Sequence, residues 1–171
     1  HHPSSAASDV YKRQILGSSS TADQKEQLIC LPGSHSKWVR VSCGNVIAFS
    51  TYMTGETYEA VRKNTILSKT LEPDAWSEEA FMSGVQYSKT NKNILSQLFH
   101  VRTQILFHEL SSDESTSFIS GLLIGHELKS ALQNSHGLKI HLIGDMALTK
   151  IYGDAISEFG RTVIQVDTDI V

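Results

Sequence analysis

The chain has 171 residues and a formal net charge of -3, with 40% hydrophobic and 19% charged residues. That is enough chain for one domain with a sizeable core, in the composition of an ordinary globular protein. No basic patch or charge run points to nucleic acid or a membrane surface, and the longest apolar stretches, such as Ile119 to Ile124, are far too short to span a bilayer.

The N-terminus has no initiator Met and no apolar run of the kind a signal peptide carries. After His1-His2-Pro3, residues Ser4-Ser5-Ala6-Ala7-Ser8-Asp9-Val10-Tyr11-Lys12-Arg13-Gln14 back-translate in frame to a common transposase sequencing adapter. Residues 1–14 are therefore set apart as an adapter artefact, expected to be disordered, and the reading of the fold begins at Ile15.

Ile15 to Glu26 reads as the end of a helix followed by a Ser-rich loop. Gln27 to Leu31 is a short apolar strand that ends at Pro32-Gly33, a strong turn signal. Lys37 to Ser42 alternates and predicts a second strand; Cys43-Gly44-Asn45 is a hairpin turn into a third, Val46 to Tyr52. The three form an antiparallel meander. Cys30 and Cys43 could lie on neighbouring strands, but an isolated pair argues only weakly for a disulfide, and two thiols in a reducing cytoplasm are expected.

Helices follow. Thr54-Gly55-Glu56 opens one that runs to about Ile66, and Glu72-Pro73-Asp74 breaks the chain. Ser77 is placed to cap a helix reaching about Ser88. Ile94, Leu98, Val101 and Ile105 recur at helical spacing beside Leu95, Phe99 and Leu106, which predicts a well-buried amphipathic helix. Ser111-Ser112-Asp113-Glu114 offers a capping box to the next helix, which carries Phe118, Ile119, Leu122, Leu123 and Leu128. Gly121 and Gly125, one turn apart on it, predict another backbone packed very close. A β-α-β unit ends the chain: a strand from Leu138 to Ile143, Gly144 as a turn, Asp145 as N-cap, a helix from Met146 to Phe159, Gly160 as its stop, and a strand from Thr162 to Val166.

The run richest in chemistry is Leu31-Pro32-Gly33-Ser34-His35-Ser36-Lys37-Trp38-Val39, a tight turn between two strands. Gly33 lets a backbone approach a ligand, successive turn N–H groups can cradle an anion, Ser34 and Ser36 add hydroxyls, and Lys37 adds a positive charge. On residue types alone the run is either a phosphate site or a polar turn without a ligand. It is not a Walker A loop, which needs Gly-x-x-x-x-Gly-Lys-Ser/Thr before a helix, nor a Gly-x-Ser-x-Gly nucleophile elbow. His100 and His108 stand eight residues apart on one helix and do not align as ligands; no His-Glu-x-x-His or Cys-x-x-Cys occurs, and no metal ligand set is expected.

This run closely resembles the Pro-Gly-Thr-His-(Ser/Cys)-Lys-Trp-Val signature of the 2-dehydro-3-deoxygalactonokinases, members of the sugar kinase, Hsp70 and actin superfamily. Ser34 replaces the usual Thr and keeps the hydroxyl. The resemblance continues in order through Met53-Thr54-Gly55-Glu56, Leu98-Phe99-His100-Val101-Arg102, Ser120-Gly121-Leu122-Leu123-Ile124-Gly125-His126-Glu127 and Leu142-Ile143-Gly144 with Leu148 and Tyr152. It covers essentially all of Ile15 to Val171.

The resemblance implies an α/β fold: a ribonuclease H-like (actin-like ATPase) C-terminal lobe. Its mixed sheet would combine the antiparallel meander with the parallel β-α-β unit, flanked by helices. Residues 15–171 would be that lobe, truncated at both ends. It implies a kinase that uses ATP and Mg²⁺ to phosphorylate 2-dehydro-3-deoxy-D-galactonate at the 6-hydroxyl, in the cytoplasm, with a homodimer as the assembly of the full-length protein. Gly33, Ser34, His35, Ser36 and Lys37 would touch the β- and γ-phosphates, and Gly144 and Asp145 would lie at the adenosine, although Asp145 departs from the small residue usual there. Thr54 and Glu56 are candidates for the substrate or Mg²⁺ side, with helix capping an equal explanation. Arg102 is a candidate for the substrate carboxylate, with a structural ion pair as the alternative. No catalytic residue is assigned within the chain; the carboxylate that orients or deprotonates the sugar hydroxyl is expected in the N-terminal lobe, so the fragment alone is expected to be inactive. The rival readings are another sugar kinase of the superfamily, acting on an amino sugar or anhydromuramic acid, and a non-catalytic sugar- or nucleotide-binding regulator.

Overall fold

The computed structural model describes residues 25–71, 76–90 and 92–166. The adapter-like segment, most of the polar stretch after Ile15 and the break at Glu72-Pro73-Asp74 lie outside the described residues. Three strands come first: β1 (Gln27–Leu31), β2 (Ser36–Ser42) and β3 (Asn45–Tyr52). They pair antiparallel, β1 with β2 and β2 with β3, as the turn signals predict. The β2–β3 loop is the two-residue pair Cys43-Gly44, both at positive φ (50° and 74°), which is the twist-matched hairpin geometry. Both cysteines are free, Cys30 buried in β1 and Cys43 exposed in this loop.

The helices are α1 (Thr54–Asn64), α2 (Glu78–Ser88), α3 (Ile94–Leu106) and α4 (Ser115–Ala131), with a single 3₁₀ turn at Ile66–Lys69. The chain closes with β4 (Lys139–Ile143), α5 (Met146–Glu158) and β5 (Val163–Val166). β4 and β5 pair parallel, the expected crossover. β4 also pairs parallel with β1, so meander and crossover form one five-stranded sheet in the order β3-β2-β1-β4-β5. Central β1 is buried along its whole length, which suits the apolar run Leu28 to Leu31 that follows the buried Gln27. β3 is an outer strand, and every residue from Asn45 to Thr51 is exposed.

One face of the sheet, with Leu28, Cys30, Trp38, Ile140 and Leu142, packs with Phe81, Val85, Ile124, Leu128, Tyr152 and Ile156 of the helices. The opposite face carries Ile29, Leu31, Val39, Val41 and Ile143. A further cluster joins α4 to α1 and α3 through Val61, Val101, Ile105, Phe118, Ile119 and Leu122. α4 is thus apolar on most sides because it is buried between the sheet and two helices. Gly121 and Gly125, foreseen as packing positions, are that: Gly121 meets the backbone of α2 at Phe81 and Gly125 meets Ser88, while Gly84 of α2, not foreseen, meets the backbone of α4 at Phe118.

Some local expectations are corrected. α1 stops at Asn64 rather than Ile66, because Thr65 turns extended, returning its hydroxyl to the Val61 carbonyl (2.7 Å) and accepting from Leu67 N (3.2 Å). The capping box is not formed: Ser111 bonds the Glu114 carboxylate instead, and α4 starts one residue later with no side-chain cap on its first turn. Ser77 does cap α2, accepting from Ala80 N at 3.1 Å. α3 is only half buried. Val101 and Ile105 pack inward, whereas Leu95 (74% exposed), Phe99 and Leu106 form a second apolar stripe facing outward.

Candidate functional site

Parallel pairing fixes where the chemistry gathers. β1, β3 and β4 run in the same direction, so the segments leaving their carboxyl ends meet at one edge of the sheet, the place where open α/β sheets bind ligands. The turn Gly33–His35 follows β1, the start of α1 follows β3, and Gly144-Asp145 follows β4. A methyl built on Gly144 would lie 3.8 Å from Pro32, and one on Gly55 would come within 2.8 Å of the Ser34 Cα. Glu56 N donates to the Ser34 carbonyl at 3.1 Å, so the first turn of α1 is seated directly on the Gly33–His35 turn. Gly144 has φ 153°, a backbone state that a side chain rarely adopts.

Behind this edge lies a polar network that sequence reasoning missed. Glu127 of α4 is 3% exposed. Its carboxylate accepts from Trp38 Nε1 (2.7 Å) and Tyr152 Oη (2.9 Å), and from the Thr54 hydroxyl. Ser36 Oγ lies 2.7 Å from Tyr152 Oη. Tyr152 has a single proton, given to Glu127, so the Ser36 hydroxyl is the donor to Tyr152. Burial pushes the Glu127 carboxyl above its ordinary range, against the opposing pull of its hydrogen bonds, Thr54 first. Burial, then the Glu127 charge, raises the Tyr152 phenol strongly. The signal available in the sequence was a single carboxylate within a largely apolar helical run, Phe118 to Leu128, which demands buried partners.

The individual candidates are placed as follows. Ser34 and His35 are exposed at the turn, and His35 pairs with Glu56 across it. Lys37 is half-buried and donates to the His35 carbonyl at 3.1 Å. Ser36 is fully buried with its hydroxyl in the Glu127 network, so the expectation that it offers a hydroxyl to an anion is corrected: its side chain faces inward, as its place as the first residue of β2 dictates. Thr54 likewise turns its hydroxyl to Glu127. Asp145 directs its carboxylate to Ala147 N (3.0 Å) and Leu148 N (3.1 Å), capping α5. Arg102 is not part of this cluster. It donates to the Ile66 carbonyl at 3.1 Å, beyond the far end of α1, about 16 Å of helix away from Thr54.

A mixed sheet in this order, with a glycine turn after its central strand and a glycine bend after the parallel neighbour, defines an actin-like lobe of the sugar kinase kind. The chain belongs to the 2-keto-3-deoxy-galactonokinase family, whose profile matches residues 7–171. It is 35% identical over 161 residues to the Rhizobium meliloti protein named Probable 2-dehydro-3-deoxygalactonokinase DgoK1, covering 91% of this chain and 53% of that protein. It is 32% identical over 157 residues to the Escherichia coli 2-dehydro-3-deoxygalactonokinase, with the same coverage. The crystal structure of a 2-dehydro-3-deoxygalactonokinase-family protein from Sinorhizobium meliloti superposes with a TM-score of 0.83 at 34% identity, over 91% of this chain and 54% of that one. The chain spans about half the length of the relatives it matches.

Proposed function

We propose that the protein containing this chain is an ATP-dependent kinase that phosphorylates 2-dehydro-3-deoxy-D-galactonate at its 6-hydroxyl, and that this chain supplies one wall of the nucleotide site. The observation that carries the reading is the shared sheet edge, where the Gly33–His35 turn and the Gly144 bend stand side by side in a chain of this family.

The residues fit a nucleotide phosphate. Gly33 is demanded neither by its φ nor by packing: an added methyl would meet no atom within 4 Å. Its lack of a side chain is accounted for by the close approach of a ligand. In this reading the backbone N–H groups of the turn, the Ser34 hydroxyl, His35 and the Lys37 ammonium hold the β- and γ-phosphates. Gly144 lets the adenosine lie against the backbone. Asp145 contributes by capping α5 rather than by touching the nucleotide. Bound ATP supplies the phosphoryl group and Mg²⁺ neutralises its charge, so that transfer to the sugar hydroxyl is a matter of position and electrostatics. The carboxylate that orients the hydroxyl belongs to the other half of the relatives' length, and this chain alone does not turn over. The enzyme works in the cytoplasm.

The test is to assay ATP consumption by the complete gene product against a panel of sugar acids and amino sugars. Turnover is expected with 2-dehydro-3-deoxy-D-galactonate and Mg²⁺. Turnover with hexosamines only, or with no sugar, would reject the proposal.

A further inference from the structure

We infer that Glu127 is a positioning residue, one that holds the Gly33–Lys37 turn in fixed relation to the Gly144 bend. The inference rests on the reading of those two turns as the nucleotide site.

One carboxylate ties together elements far apart in sequence. Trp38 belongs to β2 directly after Lys37; Thr54 opens α1, whose Gly55 and Glu56 lean on Ser34; Tyr152 belongs to α5, which begins after the Gly144 bend. Ser36, between His35 and Lys37, is drawn into the same network through Tyr152. Each donor is thus bonded to, or packed beside, a residue at the sheet edge, while Glu127 itself is buried. Packing does not explain the choice of glutamate, since an apolar residue of similar volume in the same place generally stabilises a core at least as well as a buried charge. Directional hydrogen bonds do what apolar contact cannot: they fix β2, α1 and α5 in one mutual register. A glutamine keeps the shape but presents a single acceptor oxygen to donors that now share two.

The experiment compares Glu127→Gln with Val101→Ala, a truncation in the separate α3–α4 cluster that lowers global stability without touching the network. Amide hydrogen exchange on this chain reads the positions directly. In Glu127→Gln the Glu56 amide, bonded to the Ser34 carbonyl, and the Ala147 and Leu148 amides, bonded to Asp145 beside the Gly144 bend, are expected to exchange at least tenfold faster than in the wild type, and the Trp38 indole N–H resonance to shift. In Val101→Ala neither change is expected beyond what the global loss accounts for. In the complete gene product, Glu127→Gln is expected to raise the KM for ATP about tenfold, and Val101→Ala less than twofold. Equal effects of the two variants, or Glu56, Ala147 and Leu148 amides that stay protected in Glu127→Gln, would overturn the positioning role. Failure of the nucleotide reading is distinguishable, because it shows in the wild type itself as an absence of Mg-ATP binding.

Discussion

Gly84 of α2 and Gly121 of α4 each occupy the space that the other's helix backbone needs. A methyl on Gly84 would lie 2.1 Å from the Phe118 carbonyl oxygen, and one on Gly121 would lie 1.9 Å from the Phe81 carbonyl oxygen. Both obstacles are main chain, so no side chain can swing aside. The gain in helix propensity from Gly to Ala is only about 1 kcal/mol and does not offset the overlap. Gly121→Ala is expected to destabilise the chain by about 3 kcal/mol, the upper range for overpacking, measured as a fall in the urea midpoint. An unchanged midpoint would mean that the helices cross less closely than described.

Gly33 and Gly144 separate ligand approach from backbone strain. Gly33→Ala meets open space at an ordinary φ, so stability should stay within about 0.5 kcal/mol of the parent. The same variant should weaken ATP binding in the complete gene product about tenfold, or about 1.4 kcal/mol, because the methyl stands where the phosphate comes. Gly144→Ala forces a side chain into φ 153° and should lose about 1–3 kcal/mol of stability as well as affinity. Calorimetric titration and thermal melts of the two variants check both halves. Unimpaired ATP binding by Gly33→Ala would remove the turn from the nucleotide site.

The buried carboxylate gives a pH signature with a definite sign. Burial raises the Glu127 carboxyl above its ordinary value of 4.5, so the folded chain binds that proton more tightly than the unfolded one. The stability contributed is fully present below about 4.5 and is lost as pH rises through the folded value. Glu127→Gln has no such proton. The stability of the wild type relative to this variant should therefore fall as pH rises above about 4.5 and level off once the folded carboxyl has ionised, read from urea unfolding at a series of pH values, with the other titrating groups cancelling in the difference. A pH-independent difference would show that the folded carboxyl titrates normally.

Arg102 gives a contrasting expectation. Its guanidinium bonds the carbonyl of Ile66, the first residue of the 3₁₀ turn, and is exposed. Arg102→Ala should change stability by less than about 1 kcal/mol and leave the KM for the sugar acid unchanged in steady-state assays. A raised KM for the acid alone would restore its assignment to the substrate carboxylate.

Much of this architecture could be read in advance because it is local. Pro32-Gly33, Cys43-Gly44 and the Gly144-Asp145 start of α5 are turn and cap signals that need no tertiary context, and the spacing of Gly121 and Gly125 announces a close helix crossing. What could not be read is what depends on distant partners. Nothing near β1 says that β4 lies beside it, yet that pairing makes the site. Leu95 and Phe99 follow the helical period as well as Val101 does, but only the face that meets α4 is covered. Ser36 looks like Ser34 in a polar run; Ser36 is the first residue of β2 and turns its hydroxyl inward to Tyr152, whereas Ser34 stands in the preceding turn and stays outside. Glu127 carried the clearest signal left unread, a carboxylate set among the buried apolar residues of α4.

The outermost strand has a consequence for handling the protein. From Asn45 to Tyr52 it bears no charged residue and no proline, and Val46, Ile47 and Phe49 are each more than half exposed. Such a margin is a template for extended chains, the liability that many proteins blunt with lysine. Concentrated samples should accordingly cloud or gel by strand-to-strand accretion, and Ile47→Lys is the simplest way to keep them clear.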